Sequence, residues 1–469
     1  MHKQDGKLKT TQVGCLIRHK RSQEDGSTHS SVIARASRRV TGVLRSYLRP
    51  SFCSLVGAGL IHCSLLAVAQ CGPVTSDKTS KTGSQLPPAV AGVAVVGGHL
   101  VVVNTNKPLL ARGFNTTGAL YPTQYASILC TQPNVAPGSK NAKWLEAAQA
   151  ALTAPPLPGH PYNASFKAMI DDWHVNSVRI HVSPGALQYE YAHGLSAYTD
   201  MARKVIAQAR AAGLIVLIDM QAETFGCTPY VNGVNKKLSD IQTEHAWKKI
   251  LDTTLTNDKG VMLGVFNEPS TQKARNAGSF RHPDWKAWAT GCGIAPEQGM
   301  VTVAKYLRTI APDNLLEIQG DEGGSTLTAL EIPTDMPVNV VYSIHPFHYV
   351  IKSNELLSID MWNQQFGHFE ASGHAVMVTA WDEAFKCSNH DPEQTITKYF
   401  LENYLPGHSI GMIAYAWDAP NWSAGYLINS YDYPGNTANY HVVDPNRSAC
   451  SESGGNTLLQ EFQNQASRD

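Results

Sequence analysis

The stretch GVFNEP at 264–269 ends an apolar run with an amide, a carboxylate and a proline. A strand that carries Glu268 to the edge of a sheet, before a proline that turns the chain away, leaves the carboxyl group where a substrate can reach it. A carboxyl group in such a place can give a proton to a leaving group. The sequence therefore predicts general acid–base chemistry at Glu268, with the amide of Asn267 beside it.

Short β-branched apolar segments alternate with amphipathic helical segments from residue 93 onward, as in strand–helix units around a parallel sheet. We predict barrel strands at 109–115, 175–181, 214–220, 260–266, 314–319, 338–345, 374–381 and 409–417. Helices are predicted at 163–172, 198–212, 241–255, 297–310, 355–369, 392–404 and 456–465. This order favours an α/β fold, a closed (β/α)8 TIM barrel. An open doubly wound sheet is less favoured because no Gly-x-Gly-x-x-Gly follows any strand.

Other segments extend the barrel at its two ends. The stretch AVVGGHLVVV at 94–103 has a Gly-Gly turn between two apolar runs, which predicts a small N-terminal β-hairpin across the barrel floor. The longest insertions, at 116–160, 221–240 and 270–296, follow strands one, three and four. The top face of the barrel is therefore expected to carry long loops around a cleft.

Several segments resemble glycoside hydrolase family 5, the cellulase-type barrels, and the resemblance covers residues 93–465. The matching positions are RGFN at 112–115, NSVRI at 176–180, the pair Asn267 and Glu268, His345 and Trp417. They occur in the family's order, on segments that the periodicity predicts as strands.

The resemblance implies a role for each matched residue. Glu268 would be the acid/base, Asn267 would bind the sugar 2-hydroxyl, and Arg179 would lie beside the catalytic carboxylates. His345 would line the cleft, and Trp417 would stack under the sugar. Trp381, Trp422 and Tyr230 are further candidates for sugar-stacking platforms, although core packing explains Trp381 equally well.

Three positions depart from the family pattern. The segment VMVTAW at 376–381 has Ala380 where the family has its nucleophile Glu. The sixth strand has Phe347 where the family has a Tyr that touches that nucleophile. The third strand has Gln221 where a His is common. Two of the three changes remove groups at the nucleophile.

A retaining glycosidase needs two carboxyl groups about 5–5.5 Å apart. Asp382 and Glu383 directly follow the position of the missing Glu, and either could supply the second group. Glu383 has the longer reach and is our candidate for the second catalytic carboxylate. An inverting mechanism is the alternative if one of these residues holds a water molecule.

No cofactor is implied, and no metal site is predicted. His345 and His348 form a pair without a third ligand, which favours hydrogen-bonded cleft residues over a metal site. The expected partner is a polysaccharide or oligosaccharide, bound by a monomer.

The 38 basic and 38 acidic residues cancel over the whole chain but are unevenly distributed. The first 70 residues hold 11 basic and 3 acidic residues, so the remainder holds 27 basic and 35 acidic ones. A protein that binds nucleic acid through its phosphates needs the opposite balance. The body of the chain is therefore not expected to bind nucleic acid.

We divide the chain into a basic leader at 1–45, a signal peptide at 46–69, a flexible linker at 70–90 and a catalytic domain at 91–469. The uncharged run at 51–69 ends in Ala-Val-Ala, which suits signal peptidase. A signal anchor or a buried helix are the alternatives, and the leader also resembles a transit peptide. The protein is expected to be secreted, periplasmic or on the cell surface, with disulfides among the six cysteines that follow the signal peptide.

Two functions remain open at this point. The first is an exported glycoside hydrolase that cleaves O-glycosidic bonds in a β-linked polysaccharide of glucan or mannan type. The second is a non-catalytic carbohydrate-binding protein on the same barrel, in which the change at Ala380 has removed hydrolysis and left the sugar cleft.

Overall fold

The computed structural model describes residues 92–130, 135–221, 238–271, 283–291, 297–347, 358–381, 395–418 and 454–468. All of them belong to one compact unit. The leader, signal peptide and linker predicted for residues 1–90 lie outside these stretches. Within these stretches, no helix is both long enough and apolar enough to cross a bilayer.

Eight parallel strands close into a barrel, with neighbours paired in chain order and the last strand paired with the first. After a hairpin of β1 (Val93–Val96) and β2 (His99–Val102), the barrel strands are β3 (Arg112–Thr116), β4 (Ser177–Val182), β5 (Ile215–Met220), β6 (Val261–Gly264), β7 (Leu316–Gln319), β8 (Val340–Ile344), β9 (Val376–Val378) and β10 (Gly411–Ala414). The predicted (β/α)8 fold is confirmed, and every barrel strand overlaps the segment predicted for it.

The barrel strands are buried on both faces, which is why their sequences are nearly continuous apolar runs. Alternate side chains serve the two faces. Ile215 and Leu217 of β5 join an inner apolar cluster, whereas Val216 and Ile218 join the cluster that packs against the helices. The inner cluster fills the amino-terminal half of the barrel. The inward-facing side chains above it are mostly polar, so an apolar floor supports a polar mouth.

The N-terminal hairpin closes the floor, as the sequence predicts. Its turn is Gly97–Gly98, whose φ angles of 57° and 82° are the left-handed values that a tight hairpin turn needs. Val93 and Leu100 are buried in the inner apolar cluster. The backbone N–H of Val95 also donates to Asn339 Oδ1 at 3.0 Å, which fastens the hairpin to the segment before β8.

Helices surround the barrel. Those with regular geometry are Lys140–Thr153, Ala164–Asp171, Pro184–His193, Ala197–Ala211, Ile241–Ile250, Thr253–Asn257, Trp285–Thr290, Met300–Ile310 and Gly454–Ala466, with short turns at Gly118–Leu120, Thr123–Tyr125, Ala126–Leu129 and Asp321–Gly324. Two further helices contain a π-helical middle, Ile359–Trp362 with Asn363–Gly367 and His368–Ala371, and Thr395–Tyr399 with Phe400–Tyr404 and Leu405–Gly407.

Three of the regular helices were not predicted, and one of them is Trp285–Thr290, inside the insertion at 270–296. Lys140–Thr153 lies inside the insertion that we interpreted as a loop, and its Ala-rich sequence has little of the periodicity on which the prediction relied. Pro184–His193 starts with Pro-Gly, which resembles a turn. Pro is nevertheless favourable in the first turn of a helix, and Ser183 caps this one by accepting a hydrogen bond from the N–H of Ala186.

Candidate active site

Buried polar side chains line the carboxyl-terminal mouth of the barrel, as its topology requires of an active site. They come from almost every strand or the residues just after it, and the main ones are Asn115, Arg179, His181, Asp219, Gln221, Asn267, Glu317, Gln319, Ser343, His345 and Thr379. Buried polar groups are costly unless they are hydrogen-bonded. The contacts among these residues therefore determine which groups remain for a substrate.

Arg179 is the centre of this network and is 1% exposed. Its Nη2 donates to Asp219 Oδ1 at 2.6 Å and to Asn267 Oδ1 at 2.7 Å. Its Nη1 donates to Asn115 Oδ1 at 3.0 Å and to the backbone carbonyl of Thr379 at 3.3 Å. The guanidinium therefore links four strand ends and fixes the amide of Asn267 beside Glu268.

Asp219 is the fixed counter-charge of Arg179. Its second oxygen lies 2.6 Å from His181 Nδ1, and His181 Nε2 lies 2.8 Å from Asn115 Oδ1. Burial disfavours the charged carboxylate, but the positive charge of Arg179 and the contact with His181 outweigh it and hold the pKa of Asp219 below its usual range. Asp219 is therefore an ionised residue that orders the site.

Glu268 is placed differently from the other carboxyl groups of the mouth. Its side chain is 23% exposed, whereas Asp219 and Glu317 are 0% exposed, so Glu268 is the one of these three that can meet a substrate. Its backbone has a φ of 51°, an uncommon value for a residue with a side chain and one that is often found at functional sites. The N–H of Glu268 donates to Gln319 Oε1 at 2.8 Å, which holds this conformation.

His345 connects Glu268 to the interior. Its Nδ1 lies 3.1 Å from Glu268 Oε1 and its Nε2 lies 3.1 Å from Thr379 Oγ1. Burial lowers the pKa of His345, and the hydrogen bond that its Nδ1 can donate to Glu268 opposes this only in part. The imidazole is therefore neutral at pH 7 and carries its proton on one nitrogen.

Glu317 lies deeper in the barrel and was not predicted as a site residue. Its Oε1 accepts hydrogen bonds from the hydroxyls of Ser343 and, at 3.3 Å, Thr379. Burial raises the pKa of Glu317 to about 7, although the nearby charge of Arg179 opposes the shift. The signal in the sequence is the pair Glu317 and Gln319, two polar residues at alternate, inward-facing positions of an otherwise apolar strand.

This raised pKa predicts a pH-dependent stability. The folded state holds the proton of Glu317 more tightly than the unfolded state does, because its pKa is about 7 in the folded protein. Glu317 therefore stabilises the fold fully at a pH below the ordinary pKa of Glu, and this stabilisation is lost as the pH rises through 7. Glu317 should lower the free energy of unfolding by about 3 kcal/mol between pH 4 and pH 9. Glu317→Gln should remove this decrease, measured by urea unfolding at several pH values. The exposed Glu331→Gln is the control, and equal pH slopes for both variants and the wild type would contradict the prediction.

The end of β9 has no carboxylate within the described residues. Ala380 is 2% exposed and lies between Thr379 and the fully buried Trp381. Glu383, predicted as the second catalytic carboxylate, lies outside the described residues, as do Asp382, His348, Trp422 and Tyr230. Its role stays a prediction.

The structure does not bring the two predicted tryptophans into the mouth. Trp417 is 0% exposed, its indole N–H donates to Ser165 Oγ at 2.8 Å, and its ring packs 5.1 Å from that of Phe114. Trp381 is also 0% exposed and packs on the outer side of the barrel, 6.3 Å from the ring of Phe400. As described, neither ring has a face available to a sugar.

Tyr415 is the aromatic residue that the end of β10 places at the mouth. It is partly exposed, and its ring lies 6.1 Å from that of Phe347 and 6.5 Å from that of His181. Two residues later the chain has bent towards β3, where the N–H of Trp417 donates to the carbonyl of Asn115 at 2.9 Å. This bend turns Trp417 into the core, and strand periodicity could not predict it.

Asp418 fastens this bend. Its carboxylate accepts hydrogen bonds from the backbone N–H groups of Thr117 and, at 2.7 Å, Gly118. Burial raises the pKa of Asp418 to about 6, and these hydrogen bonds oppose the shift.

In the described part of the chain, no group of three or more His, Cys, Asp or Glu residues is arranged to hold a metal ion.

The family model for cellulase (glycosyl hydrolase family 5) matches residues 144–421, which is more than half of the chain. The fold is similar to that of a β-glucanase from Saccharophagus degradans, with a TM-score of 0.53 and 14% identity over 80% of this chain and 94% of that one. It is also similar to an endocellulase variant from Pyrococcus horikoshii, with a TM-score of 0.51 and 16% identity over 80% of this chain and 99% of that one. No curated protein sequence matches the chain.

Proposed function

The chain belongs to glycosyl hydrolase family 5, and from this premise we propose that it is an exported glycosidase that cleaves a β-linked polysaccharide of glucan or mannan type. The observation that carries the proposal is the placement of Glu268. Its carboxyl group is partly exposed at the mouth of the barrel, contacts a neutral imidazole and is adjacent to an amide oriented by Arg179.

The substrate class is supported by two relatives of the same fold. The β-glucanase from Saccharophagus degradans and the endocellulase from Pyrococcus horikoshii were both crystallised with cellotetraose. Cellotetraose is a β-linked glucose chain, so we propose a related chain as the substrate here.

In the proposed reaction Glu268 protonates the glycosidic oxygen as the bond to the leaving group breaks. Asn267 Oδ1 is already occupied by Arg179 Nη2 at 2.7 Å and by Gln319 Nε2 at 3.2 Å. The amide is therefore oriented with its NH2 group left for a sugar hydroxyl, which is the contact that the family resemblance implies. The partly exposed ring of Tyr415 lies at the same mouth, 6.1 Å from the ring of Phe347.

The second carboxylate is proposed to come from Glu383, since Ala380 cannot supply one. If Glu383 approaches the anomeric carbon directly, the reaction retains the configuration of the sugar, and if it holds a water molecule, the reaction inverts it. The missing carboxylate at Ala380 favours a second candidate function, the binding of a polysaccharide without hydrolysis.

The deciding experiment is the hydrolysis of an activated aryl β-glycoside by the wild type, Glu383→Gln and Ala380→Glu, with Asp382→Asn as the matched control. We expect a wild-type activity that falls at least a hundredfold in Glu383→Gln and little in Asp382→Asn. Activity that appears only in Ala380→Glu, or only when azide is added to the wild type, would refute the proposed function and support carbohydrate binding. Azide is informative because a small anion can occupy the space of the absent carboxylate.

Export is proposed from the sequence of residues 46–69 and from the acidic body that follows. Expression of the full chain should yield a secreted, periplasmic or surface-bound protein that starts after the Ala-Val-Ala site. N-terminal sequencing of the mature protein and thiol counting without reduction would check the cleavage and the disulfides.

A further inference from the structure

A continuous row of hydrogen bonds links the partly exposed Glu268 to the buried Glu317. Glu268 Oε1 lies 3.1 Å from His345 Nδ1, and His345 Nε2 lies 3.1 Å from Thr379 Oγ1. The hydroxyl of Thr379 reaches Glu317 Oε1 at 3.3 Å. We call these four residues the relay.

We propose that Glu317 is a positioning residue for Glu268, because the relay lets the two carboxyl groups share one proton through His345. The inference rests on the proposed function, in which Glu268 is the general acid. Glu317 does not touch the substrate and acts through Thr379 and His345.

The relay has two consistent arrangements of its hydrogen atoms. In the first, Glu268 is protonated and donates to Nδ1, His345 donates from Nε2 to Thr379, and the Thr379 hydroxyl donates to an ionised Glu317. In the second, Glu317 is protonated and donates to Thr379, Thr379 donates to Nε2, and His345 donates from Nδ1 to an ionised Glu268. The two arrangements hold the same number of protons.

The second arrangement becomes the first when three protons move by one position each. The proton of Glu317 moves to Thr379 Oγ1, the former hydroxyl proton of Thr379 moves to Nε2, and the proton on Nδ1 moves to Glu268. Each bond that breaks to hydrogen is matched by one that forms. His345 changes tautomer and stays neutral, which suits a buried imidazole whose pKa is lowered by burial.

The groups around Glu317 favour one proton in the pair. Ser343 on β8 and Thr379 after β9 donate to Oε1, while Oε2 is buried without a hydrogen-bond partner among the described residues. Arg179 on β4 attracts the ionised form, but its Nη2 is already paired with Asp219 on β5, whose negative charge repels it. If both carboxyl groups of the relay were ionised, they and Asp219 would place three negative charges near the single positive charge of Arg179.

Three residues contact the His345 ring with charged or hydrogen-bonding groups, and the negative charge of Asp219 also acts on it. Glu268 lies at Nδ1, Thr379 lies at Nε2, and Arg179 Nη1 lies 3.4 Å from Nε2. Arg179 can only donate, so its contact stabilises the tautomer with the proton on Nδ1. The Thr379 contact serves both tautomers, so the Arg179 contact and the two carboxyl groups decide between them.

The consequence concerns the pH at which the relay loses its shared proton. Two coupled carboxyl groups lose their last proton at a higher pH than either would alone. In the family pattern the neighbouring nucleophile supplies this like charge, but Ala380 supplies none. In this chain Glu317 supplies the like charge instead, through the relay, from a carboxyl group that is buried below the cleft.

The test follows the tautomer of His345 in the full chain labelled with 15N-histidine, titrated with pH, with His345→Asn to assign the resonance. We expect a change in the ring nitrogen shifts with a midpoint near neutral pH in the wild type. Glu317→Gln, which has the same shape, should move this midpoint down by at least one pH unit, towards the range of a lone Glu. An unchanged midpoint in Glu317→Gln would overturn the proposal.

Two further variants separate the relay from a general loosening of the interior. Thr379→Val removes the connecting hydroxyl and should also move the midpoint down, whereas Thr379→Ser keeps the hydroxyl and should restore the wild-type value. Ser343→Ala leaves the relay intact but removes a donor to the ionised Glu317, so its midpoint should move up. Shifts in the same direction for Ser343→Ala and Thr379→Val would refute a relay.

Kinetics provide a separate readout where hydrolysis is observed. The alkaline limb of kcat/KM should move down by at least one pH unit in Glu317→Gln, with at least a tenfold loss above that limb. Asp418→Asn, a change at another buried carboxyl group outside the relay, should leave the limb in place. A wild type without hydrolysis would refute the proposed function alone, because the tautomer titration still decides whether the proton is shared.

Discussion

Glu268→Gln should lower kcat/KM for a β-linked polysaccharide by a factor of 100 to 10,000, the range that a general acid contributes. Glutamine keeps the shape and can still contact His345, but it has no acidic proton for the glycosidic oxygen. An aryl glycoside with a very acidic phenol needs little protonation, so its loss should be much smaller. The measurement is kcat/KM for both substrates, and the difference between the two losses identifies an acid.

Glu322→Gln is the matched control for this experiment. Glu322 is a partly exposed carboxyl group on the turn after β7, and it also has a left-handed φ, of 60°. It has no contact with His345 in the network described above, so its substitution should leave both substrates within a few-fold of the wild type. Equal losses for the two substrates in Glu268→Gln would show that Glu268 contributes to binding rather than to proton transfer.

Arg179→Met should destabilise the folded protein by about 3–5 kcal/mol, the cost of leaving a buried carboxylate without its cation. Asp219 is 0% exposed, and its carboxylate would keep only His181 as a partner. Asn115, Asn267 and the carbonyl of Thr379 would lose donors as well. Urea unfolding at pH 7 measures the loss, and activity should fall with it because Asn267 is no longer oriented.

The double variant Arg179→Met with Asp219→Asn should recover part of this loss, because it removes the unpaired charge. Lysine at position 179 should not replace arginine, since one ammonium cannot serve four acceptors in a planar fork. The control is Lys167→Met, at an exposed ion pair with Asp171, where less than about 1 kcal/mol is expected. A cost for Arg179→Met as small as that of Lys167→Met would contradict the account of the network.

The sequence predicts those parts of the site that depend on strand order and strand ends. Four of the predicted site residues follow or occupy an apolar strand, namely Asn267, Glu268, Arg179 and His345. Parallel strands bring their carboxyl ends together at one end of the barrel, so these side chains are expected to lie close together. The structure brings these four into one hydrogen-bonded group. Barrel closure and the hairpin at the floor are predictable for the same reason, since both follow from alternation and from turn chemistry.

The remaining features depend on contacts that periodicity does not encode. Trp417 lies past the last hydrogen-bonded residue of β10, where Asp418 and Asn115 decide the direction of the chain. The ionisation of Asp219 depends on Arg179 and that of Glu317 on burial, so neither follows from residue type. The left-handed backbone of Glu268 depends on Gln319, which is 51 residues away.

Gly264 of β6 lies directly against Glu317, and a β-carbon built on it would sit 2.8 Å from Glu317 Oε2. The buried carboxyl group therefore occupies the space that any other residue at 264 would need. During divergence the two positions should therefore change together, because a larger residue at 264 requires Glu317 to move or to become smaller. Alanine at 264 should be tolerated better next to a serine at 317 than next to Glu317, since the serine leaves only the Ile218 carbonyl, at 3.2 Å, close to the added β-carbon. Among homologues, we therefore expect a glycine at the position of Gly264 wherever a glutamate occupies the position of Glu317.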